Sequence, residues 1–125
     1  MPRELLDEIF SLDKGVRYVS ILSARGAHLE GGMRPGTVSL NPEDEENKMF
    51  LQATVGRGMS ESWRRFFGEF KFSFLAHEKV NVFQFPYGEN VLLVTTEPNV
   101  SMTRGHDIIK IINKCRKTSS KENLR

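Results

Sequence analysis

Apolar and polar residues alternate along the first third of the chain, first with helical and then with extended spacing. Residues 5–12 place apolar side chains one helical turn apart, and Gly15 ends that helix. Residues 16–22 are rich in β-branched and aromatic types and apolar on both faces, which predicts an interior strand. A tight turn with Gly26 in a left-handed conformation then leads into a shorter strand over residues 27–31.

The middle of the chain predicts a helical region with a weak centre. Asn41 is a good N-cap and Pro42 a good first helical residue. Apolar residues then recur at helical spacing as far as Phe67. Gly56 and Gly58 fall within this pattern, and each costs about 1 kcal/mol relative to alanine. The pattern fits either one long helix with a weak centre or two shorter helices.

The clearest strand signal lies over residues 70–76, where apolar and polar side chains alternate. Residues 80–85 and 91–96 predict two more strands, and residues 103–116 predict a final helix with an apolar stripe. The element order is therefore α-β-β-α-β-β-β-α. It predicts a single α+β domain over residues 1–116, a five-stranded antiparallel sheet with helices packed mainly on one side.

Charge distinguishes the end of the chain from the predicted domain. Residues 104–125 carry seven Lys or Arg and two Asp or Glu residues. Residues 1–103 carry eleven Lys or Arg and fourteen Asp or Glu residues. Residues 117–125 are polar and without periodicity, which predicts a basic, disordered tail. A solvated helix end explains such a run, and binding of nucleic acid or an anionic surface is the alternative. The run lacks interleaved aromatic residues, so the sequence does not favour nucleic acid.

Cysteine and histidine positions give no sign of a metal site or a catalytic group. The single cysteine, Cys115, lies on the apolar stripe of the last helix, which predicts a buried thiol in a reduced, cytoplasmic setting. His28, His77 and His106 have no second His or Cys three or four residues away, and His77 is expected at an exposed hairpin end. We therefore expect no enzymatic activity, no cofactor, no metal and no membrane-spanning segment.

The element order and several short strings carry a resemblance to known domains. Residues 15–22 followed by Ser23-Ala24-Arg25-Gly26, and the strands between residues 70 and 96, resemble roadblock/LC7 domains of the wider profilin-like group. Residues 31–36, together with Glu78-Lys79-Val80 and the turn after the last strand, also resemble a family of small archaeal proteins. The second resemblance covers residues 1–115.

The roadblock/LC7 resemblance implies a non-catalytic scaffold or regulator in a signalling assembly. Domains of that type commonly form homodimers or heterodimers through the central helix and the strand after it, and often regulate small GTPases. It thus implies a protein partner, with a second copy of the chain first and a small GTPase as a candidate. Carried over to this sequence, the partner interface consists of Met49, Phe50, Ala53, Gly56, Met59, Phe70, Phe72 and Phe74.

Two further segments are candidate sites with structural alternatives. Gly31, Gly32 and Arg34 could form an anion site, because glycines permit close backbone approach and an arginine pairs with phosphate or carboxylate. The alternative is a loop leaving the sheet, with Arg34 bonded to an acid such as Glu97. The aromatic and basic run at residues 63–67 fits either a partner-binding patch or a helix face buried on the sheet.

A second class of function is a small-molecule sensor, since PAS-like and profilin-like folds can also hold a ligand. It requires an enclosed apolar pocket, which the sequence would place near Phe72, Phe74, Phe83 and Phe85.

Overall fold

The computed structural model of this protein describes residues 2–40 and 46–123, and their side chains over 3–40 and 49–116. The elements are α1 (Pro2–Leu12), β1 (Val16–Leu22), β2 (His28–Met33), α2 (Glu46–Glu61), α3 (Arg64–Phe67), β3 (Ser73–Ala76), β4 (Asn81–Tyr87), β5 (Asn90–Thr96) and α4 (Arg104–Asn123). The predicted order is confirmed, with the single helical turn α3 added after α2. None of the helices in the described residues is long and apolar enough to cross a membrane.

The five strands form one antiparallel sheet in the order β2-β1-β5-β4-β3. The two strands that are apolar on both faces, β1 and β5, are neighbours in the interior, as their sequences predict. The shorter strands β2 and β3 form the two edges. The sheet therefore ends at β2 on one side and at β3 on the other.

Alternate residues of the inner strands face two separate apolar clusters. On one side, which we call the packed face, α1 and α4 cover side chains such as Val19, Phe83 and Leu92. On the other, which we call the α2 face, a smaller cluster contains Tyr18, Leu22, Phe50, Ala53, Val91 and Leu93. Helices thus cover both sides of the sheet, although the sequence placed them mainly on one side.

The strand β2 extends further than predicted, because Gly31 and Gly32 pair with β1 instead of leaving the sheet. Gly31 has φ = 99°, and a Cβ built there would lie 2.1 Å from the carbonyl oxygen of Val19. Glycine is therefore required inside the strand. The predicted positive φ at Gly26 is confirmed at 84°.

The helical middle of the chain divides after the two glycines. α2 continues through Gly56 and Gly58 to Glu61. The backbone N–H of Trp63 then donates to the carbonyl oxygen of Ser60 in a tighter turn. The carbonyl oxygen of Trp63 in turn accepts hydrogen bonds from the N–H groups of Phe66 and Phe67, where α3 follows. Of the two alternatives, two shorter helices are present. The predicted caps Asn41 and Pro42 lie outside the described residues.

Two other boundaries differ from the sequence-based expectation. β3 begins at Ser73, three residues later than the alternating pattern predicts. α4 continues to Asn123, so residues 117–123 are helical where a disordered tail was predicted. These residues lack an apolar stripe, and the pattern could not signal a helix, but they contain no glycine or proline to stop one.

Candidate functional site: the exposed side of α2

The helix α2 is apolar on two opposite sides. Phe50 and Ala53 are buried against the sheet. On the side turned away from the sheet, Leu51, Val55 and Met59 recur every fourth residue with exposed fractions of 53%, 56% and 68%. A helix that rests on a sheet usually carries polar residues outward, so this outer row is unusual.

The short helix α3 continues the apolar surface beyond the end of α2. None of its residues is buried, although two of the four are phenylalanines. Phe66 and Phe67 are 70% and 79% exposed, and the ring of Trp63 stacks on Phe67 at 5.5 Å between centroids. The guanidinium of Arg65 lies 5.6 Å from the centre of the Phe66 ring. The aromatic side chains therefore contact one another and solvent, and they are not buried against the domain.

A groove of about 320 Å³ separates α2 from the edge strand β3. The helix contributes Met49, Gln52, Gly56 and Ser60, and the strands contribute Ser73, Leu75, Val82, Gln84 and Leu93. A second hollow of about 310 Å³ shares Ser60 with it and is bounded by Trp63, Phe67 and Phe70. Together the two hollows line one flank of α2 from Met49 to α3.

The edge strand beside this groove has one unpaired side. β3 pairs with β4, and in the described part of the chain no other strand pairs with it. Leu75 is half exposed on the groove side. A free strand edge next to an exposed apolar helix is a surface on which another chain can form both backbone hydrogen bonds and apolar contacts.

The position of α2 is fixed by an arginine that the sequence did not single out. Arg57 donates to the carbonyl oxygens of Asn90 and Gly88, in the turn between β4 and β5. Because both acceptors are backbone atoms of a tight turn, the helix is held at one end of the strands it crosses.

The structure separates the eight predicted interface residues into four places. Met49, Gly56 and Phe70 line the two hollows, and Met59 lies on the exposed row. Phe50 and Ala53 lie under the helix, in the α2-face cluster. Phe72 and Phe74 point to the packed face, where Phe74 meets Phe83 at 4.8 Å between ring centroids. The last two are therefore not brought together with α2, because successive residues of a strand alternate between the faces.

Sequence reasoning missed three residues that the structure places on this surface, namely Leu51, Val55 and Leu75. The signal of Leu51 and Val55 was present as a second row at four-residue spacing, out of phase with the row that packs on the sheet. The aromatic run at residues 63–67 is exposed, which agrees with the patch alternative and contradicts burial on the sheet.

The candidate anion site is arranged differently from either expectation. Arg34 donates to the carbonyl oxygens of Val16, Phe10 and Asp13 at 2.6–2.9 Å, and its guanidinium lies over the Phe10 ring. The expected bond to Glu97 is wrong, because Glu97 pairs with Arg17 at 2.8 Å. Gly31 and Gly32 belong to β2. The arginine thus ties the exit of β2 to the end of α1, and its donors are engaged by the backbone.

The pocket required by the sensor alternative is filled with side chains. Phe83 and Phe85 are completely buried, and Phe72 stacks on Phe85 at 5.6 Å between ring centroids. Phe72 also packs closely over Gly105 of α4, where an added Cβ would lie 2.5 Å from its ring. The expectation of an enclosed pocket at these four phenylalanines is wrong.

The remaining candidate groups occupy structural positions. Cys115 is buried as predicted, and burial raises the pKa of its thiol. His77 is exposed at the β3–β4 hairpin, also as predicted. Over the residues that the structure describes, His, Cys, Asp and Glu form no group of three that could hold a metal ion.

The arrangement of strands and helices is similar to that of several solved structures. A roadblock/LC7 domain of Streptomyces avermitilis is 14% identical, covering 93% of this chain and 95% of that one, with a TM-score of 0.66. MglB of Myxococcus xanthus is 13% identical, with coverages of 94% and 93% and a TM-score of 0.67. MglC of the same organism is 13% identical, with coverages of 93% and 97% and a TM-score of 0.67.

At these identities the likeness shows the fold, and the chain has the roadblock/LC7 fold that its sequence resembles. No curated protein sequence matches the chain. A family model described as "Family of unknown function (DUF6659)" matches residues 5–122. The match covers nearly the whole chain, so the protein belongs to the DUF6659 family.

Proposed function

We propose that this protein is a non-catalytic interaction module, a scaffold or regulator that binds a protein partner through the α2 surface. By the α2 surface we mean the exposed row Leu51, Val55 and Met59, the groove beside it and the free edge of β3. The observation that carries the proposal is the exposed apolar row on a helix whose opposite side already packs on the sheet. An apolar area of this kind, rimmed by polar residues, is typical of a protein-binding site.

The free edge of β3 supports the same surface. A partner strand placed alongside Ser73–Ala76 would complete the backbone hydrogen bonds of the sheet, while its side chains entered the groove over Leu75 and Val82. The two kinds of contact lie on the same side of the molecule. A protein partner can therefore use both at once.

A second copy of the chain is the first partner we propose. One solved MglB with the same fold is described with a tetrameric arrangement, and its sequence is 15% identical to this one. Association of copies through a shared surface also buries the apolar row without requiring another component. The resulting oligomer would be the scaffold on which further proteins assemble.

Self-association is tested by light scattering over a concentration series up to roughly 100 µM, where a complex with a Kd of about 10 µM is mostly formed. We expect the mass to rise from one chain to at least two. Val55→Glu puts a charge in the middle of the exposed row and should keep the protein monomeric. Asn113→Glu, on the exposed side of α4, is the matched control and should associate like the unmodified chain.

A small GTPase is the second partner class, suggested by the roadblock/LC7 resemblance. Purified small GTPases of the source organism, loaded with GDP or GTP, can be titrated against the protein while binding and nucleotide hydrolysis are followed. Saturable binding that Val55→Glu or Leu75→Lys weakens would support a GTPase regulator using the α2 surface. Absence of binding by every GTPase would remove this partner class and leave self-association untouched.

A further inference from the structure

Apolar and basic side chains are separated on the aromatic turn, by which we mean Trp63 and the helix α3 that follows it. Trp63, Phe66 and Phe67 are three and four residues apart, which is the spacing of one helical side. Arg64 and Arg65 lie between them in the sequence and therefore flank that side. Segments that lie in the interface of a bilayer combine Trp and Phe on one side with Lys and Arg on the other.

The three rings of the aromatic turn already contact one another in the free protein. The planes of Trp63 and Phe67 are 16° apart, and the ring centres of Trp63 and Phe66 are 6.5 Å apart. The rings are 55–79% exposed. With roughly 150–250 Å² for each aromatic residue, they offer on the order of 400 Å² of apolar surface. Because the rings hold one another in place, little side-chain freedom is lost when another surface covers them.

The backbone of the aromatic turn is compatible with a medium poor in water. The N–H groups of Phe66 and Phe67 donate to the carbonyl oxygen of Trp63, and that of Gly68 donates to the carbonyl oxygen of Arg64. These groups keep their partners when water is removed, whereas exposed N–H groups of an irregular loop would lose theirs. The rings can therefore enter a bilayer interface without leaving these donors unpaired.

Charge distinguishes this segment from the rest of the domain. Residues 1–103 carry fourteen Asp or Glu and eleven Lys or Arg, so the domain as a whole is repelled by an anionic surface. Residues 63–71 reverse the balance, with three Lys or Arg and one Glu. That Glu69 pairs with Arg64 at 3.2 Å, but both side chains are mostly exposed, so the pair is weak. An anionic surface is therefore attracted at the place where the rings are exposed.

We propose that the aromatic turn binds the surface of an anionic lipid bilayer, with the three rings among the headgroups and the arginines on lipid phosphates. Arginine suits this position, because its long stem packs beside apolar groups while its guanidinium donates to phosphate oxygens. Lipid binding goes beyond the proposed function and does not require self-association, since Phe66 lines neither hollow beside α2. A single turn of this size gives reversible recruitment to the membrane.

The ring contacts favour a bilayer over single-stranded nucleic acid, which also combines phosphates with apolar groups. Bases bind aromatic residues by stacking on open ring faces. Here Phe67 packs on a face of Trp63, and the guanidinium of Arg65 lies over the Phe66 ring. Lipids adapt to ring edges as well as to ring faces, so these contacts do not obstruct a bilayer.

Flotation with vesicles tests the lipid binding directly. Vesicles of phosphatidylcholine with about 30% phosphatidylglycerol present an anionic surface, and vesicles of phosphatidylcholine alone do not. At low salt we expect binding to the anionic vesicles to be at least about tenfold tighter than to the neutral ones, and to weaken as salt is added. A protein that does not float with anionic vesicles would overturn the proposal.

Single substitutions test whether the aromatic turn is the part that binds. Phe66→Ser removes an exposed ring and should weaken binding to anionic vesicles at least about tenfold. Leu29→Ser removes a 52% exposed side chain from β2 and is the matched control. Arg65→Gln should weaken binding at low salt, whereas Arg25→Gln, in the turn between β1 and β2, should not. Circular dichroism should show the same fold for all four variants. Unchanged binding by Phe66→Ser would assign the vesicles to another surface and overturn the proposal.

Fluorescence reports the position of the turn, because Trp63 is the only tryptophan. Its emission should shift to shorter wavelength when anionic vesicles are added, and brominated lipids should quench it. An oligothymidine titration is the parallel measurement for nucleic acid. Quenching of Trp63 by the oligonucleotide, without a shift on vesicles, would overturn lipid binding in favour of nucleic acid. Flotation without any change in the emission would place the contact elsewhere and overturn it as well.

Val55→Glu separates lipid binding from the proposed function, because it alters the α2 surface and leaves the aromatic turn unchanged. We expect this variant to remain monomeric and still float with anionic vesicles. An unmodified chain that associates but does not float would overturn lipid binding alone. A chain that floats but stays monomeric at every concentration would support lipid binding and overturn self-association.

Discussion

The two faces of the sheet differ in how completely they are covered. On the packed face, α1 and α4 bury an uninterrupted cluster that includes Leu5, Ile9 and Phe83. On the α2 face, one helix covers a smaller cluster and stops short of β3, while its outer side and α3 remain apolar and exposed. The packed face contributes most of the stability, and the α2 face retains apolar surface for binding. Stability and interaction therefore depend on different residues.

The largest expected difference between the faces comes from removing one phenylalanine from each. Phe83→Ala leaves a cavity among Phe72, Phe74 and Phe85 and should lower the free energy of unfolding by about 3–5 kcal/mol. Phe67→Ala removes a ring that is mostly in solvent and should change it by less than about 0.5 kcal/mol. Urea unfolding of diluted, monomeric protein measures both. Equal losses would remove the distinction between the faces.

The same phenylalanine variants should behave in the opposite order when association is measured. Phe67→Ala should weaken self-association, because α3 supplies part of the exposed apolar area. Phe83→Ala should retain association under conditions where it remains folded, since its ring lies on the other side of the sheet. Light scattering of both variants, at a temperature well below unfolding, measures this reversal.

A smaller effect is expected from the arginine that anchors the packed face. Arg34→Met keeps the aliphatic stem but removes the donors to three backbone carbonyls. The loss in the free energy of unfolding should be about 1–3 kcal/mol, the cost of leaving such groups unpaired. Arg65→Met is the matched control, since Arg65 is exposed beside Phe66, and should change it by less than about 0.5 kcal/mol. If Arg34→Met changed the free energy of unfolding as little as Arg65→Met, the three hydrogen bonds of Arg34 would contribute nothing to stability.

The sequence was informative where one periodicity dominated a segment. The interior strands β1 and β5 and the apolar stripe of α4 could be predicted because burial on a defined side leaves a regular pattern. The place of Arg34 could not, because its acceptors are backbone carbonyls separated by 18 to 24 residues in the chain. Backbone acceptors leave no mark in the side-chain pattern.

The candidate site shows the same limit in another form. The sequence pointed to the central helix, but its buried and exposed apolar rows were merged, so Phe50 and Ala53 were assigned to the interface while Leu51 and Val55 were not. Two apolar rows on one helix produce a weak periodicity that does not reveal which row meets the sheet. Only the packing of Phe50 beside Tyr18 and Leu22 decides it.

The smallest effect concerns Cys115, whose thiol is buried at the packed face. We expect a difference in its alkylation rate and not in the free energy of unfolding. Burial raises the pKa of this thiol, so little thiolate is present at pH 8 and access is restricted. Alkylation by iodoacetamide should be slower than at a cysteine introduced as Met59→Cys on the α2 surface, by a factor on the order of ten.

Both alkylation rates should rise with pH, with Cys115 rising later because its pKa is higher. In denaturant the two thiols should react at the same rate, since the burial of Cys115 in the folded protein causes the difference. Mass spectrometry of the doubly reactive Met59→Cys protein measures both positions in one sample. Equal rates in the native, monomeric protein would mean that α4 opens readily, and the packed face would then be less secure than its burial indicates.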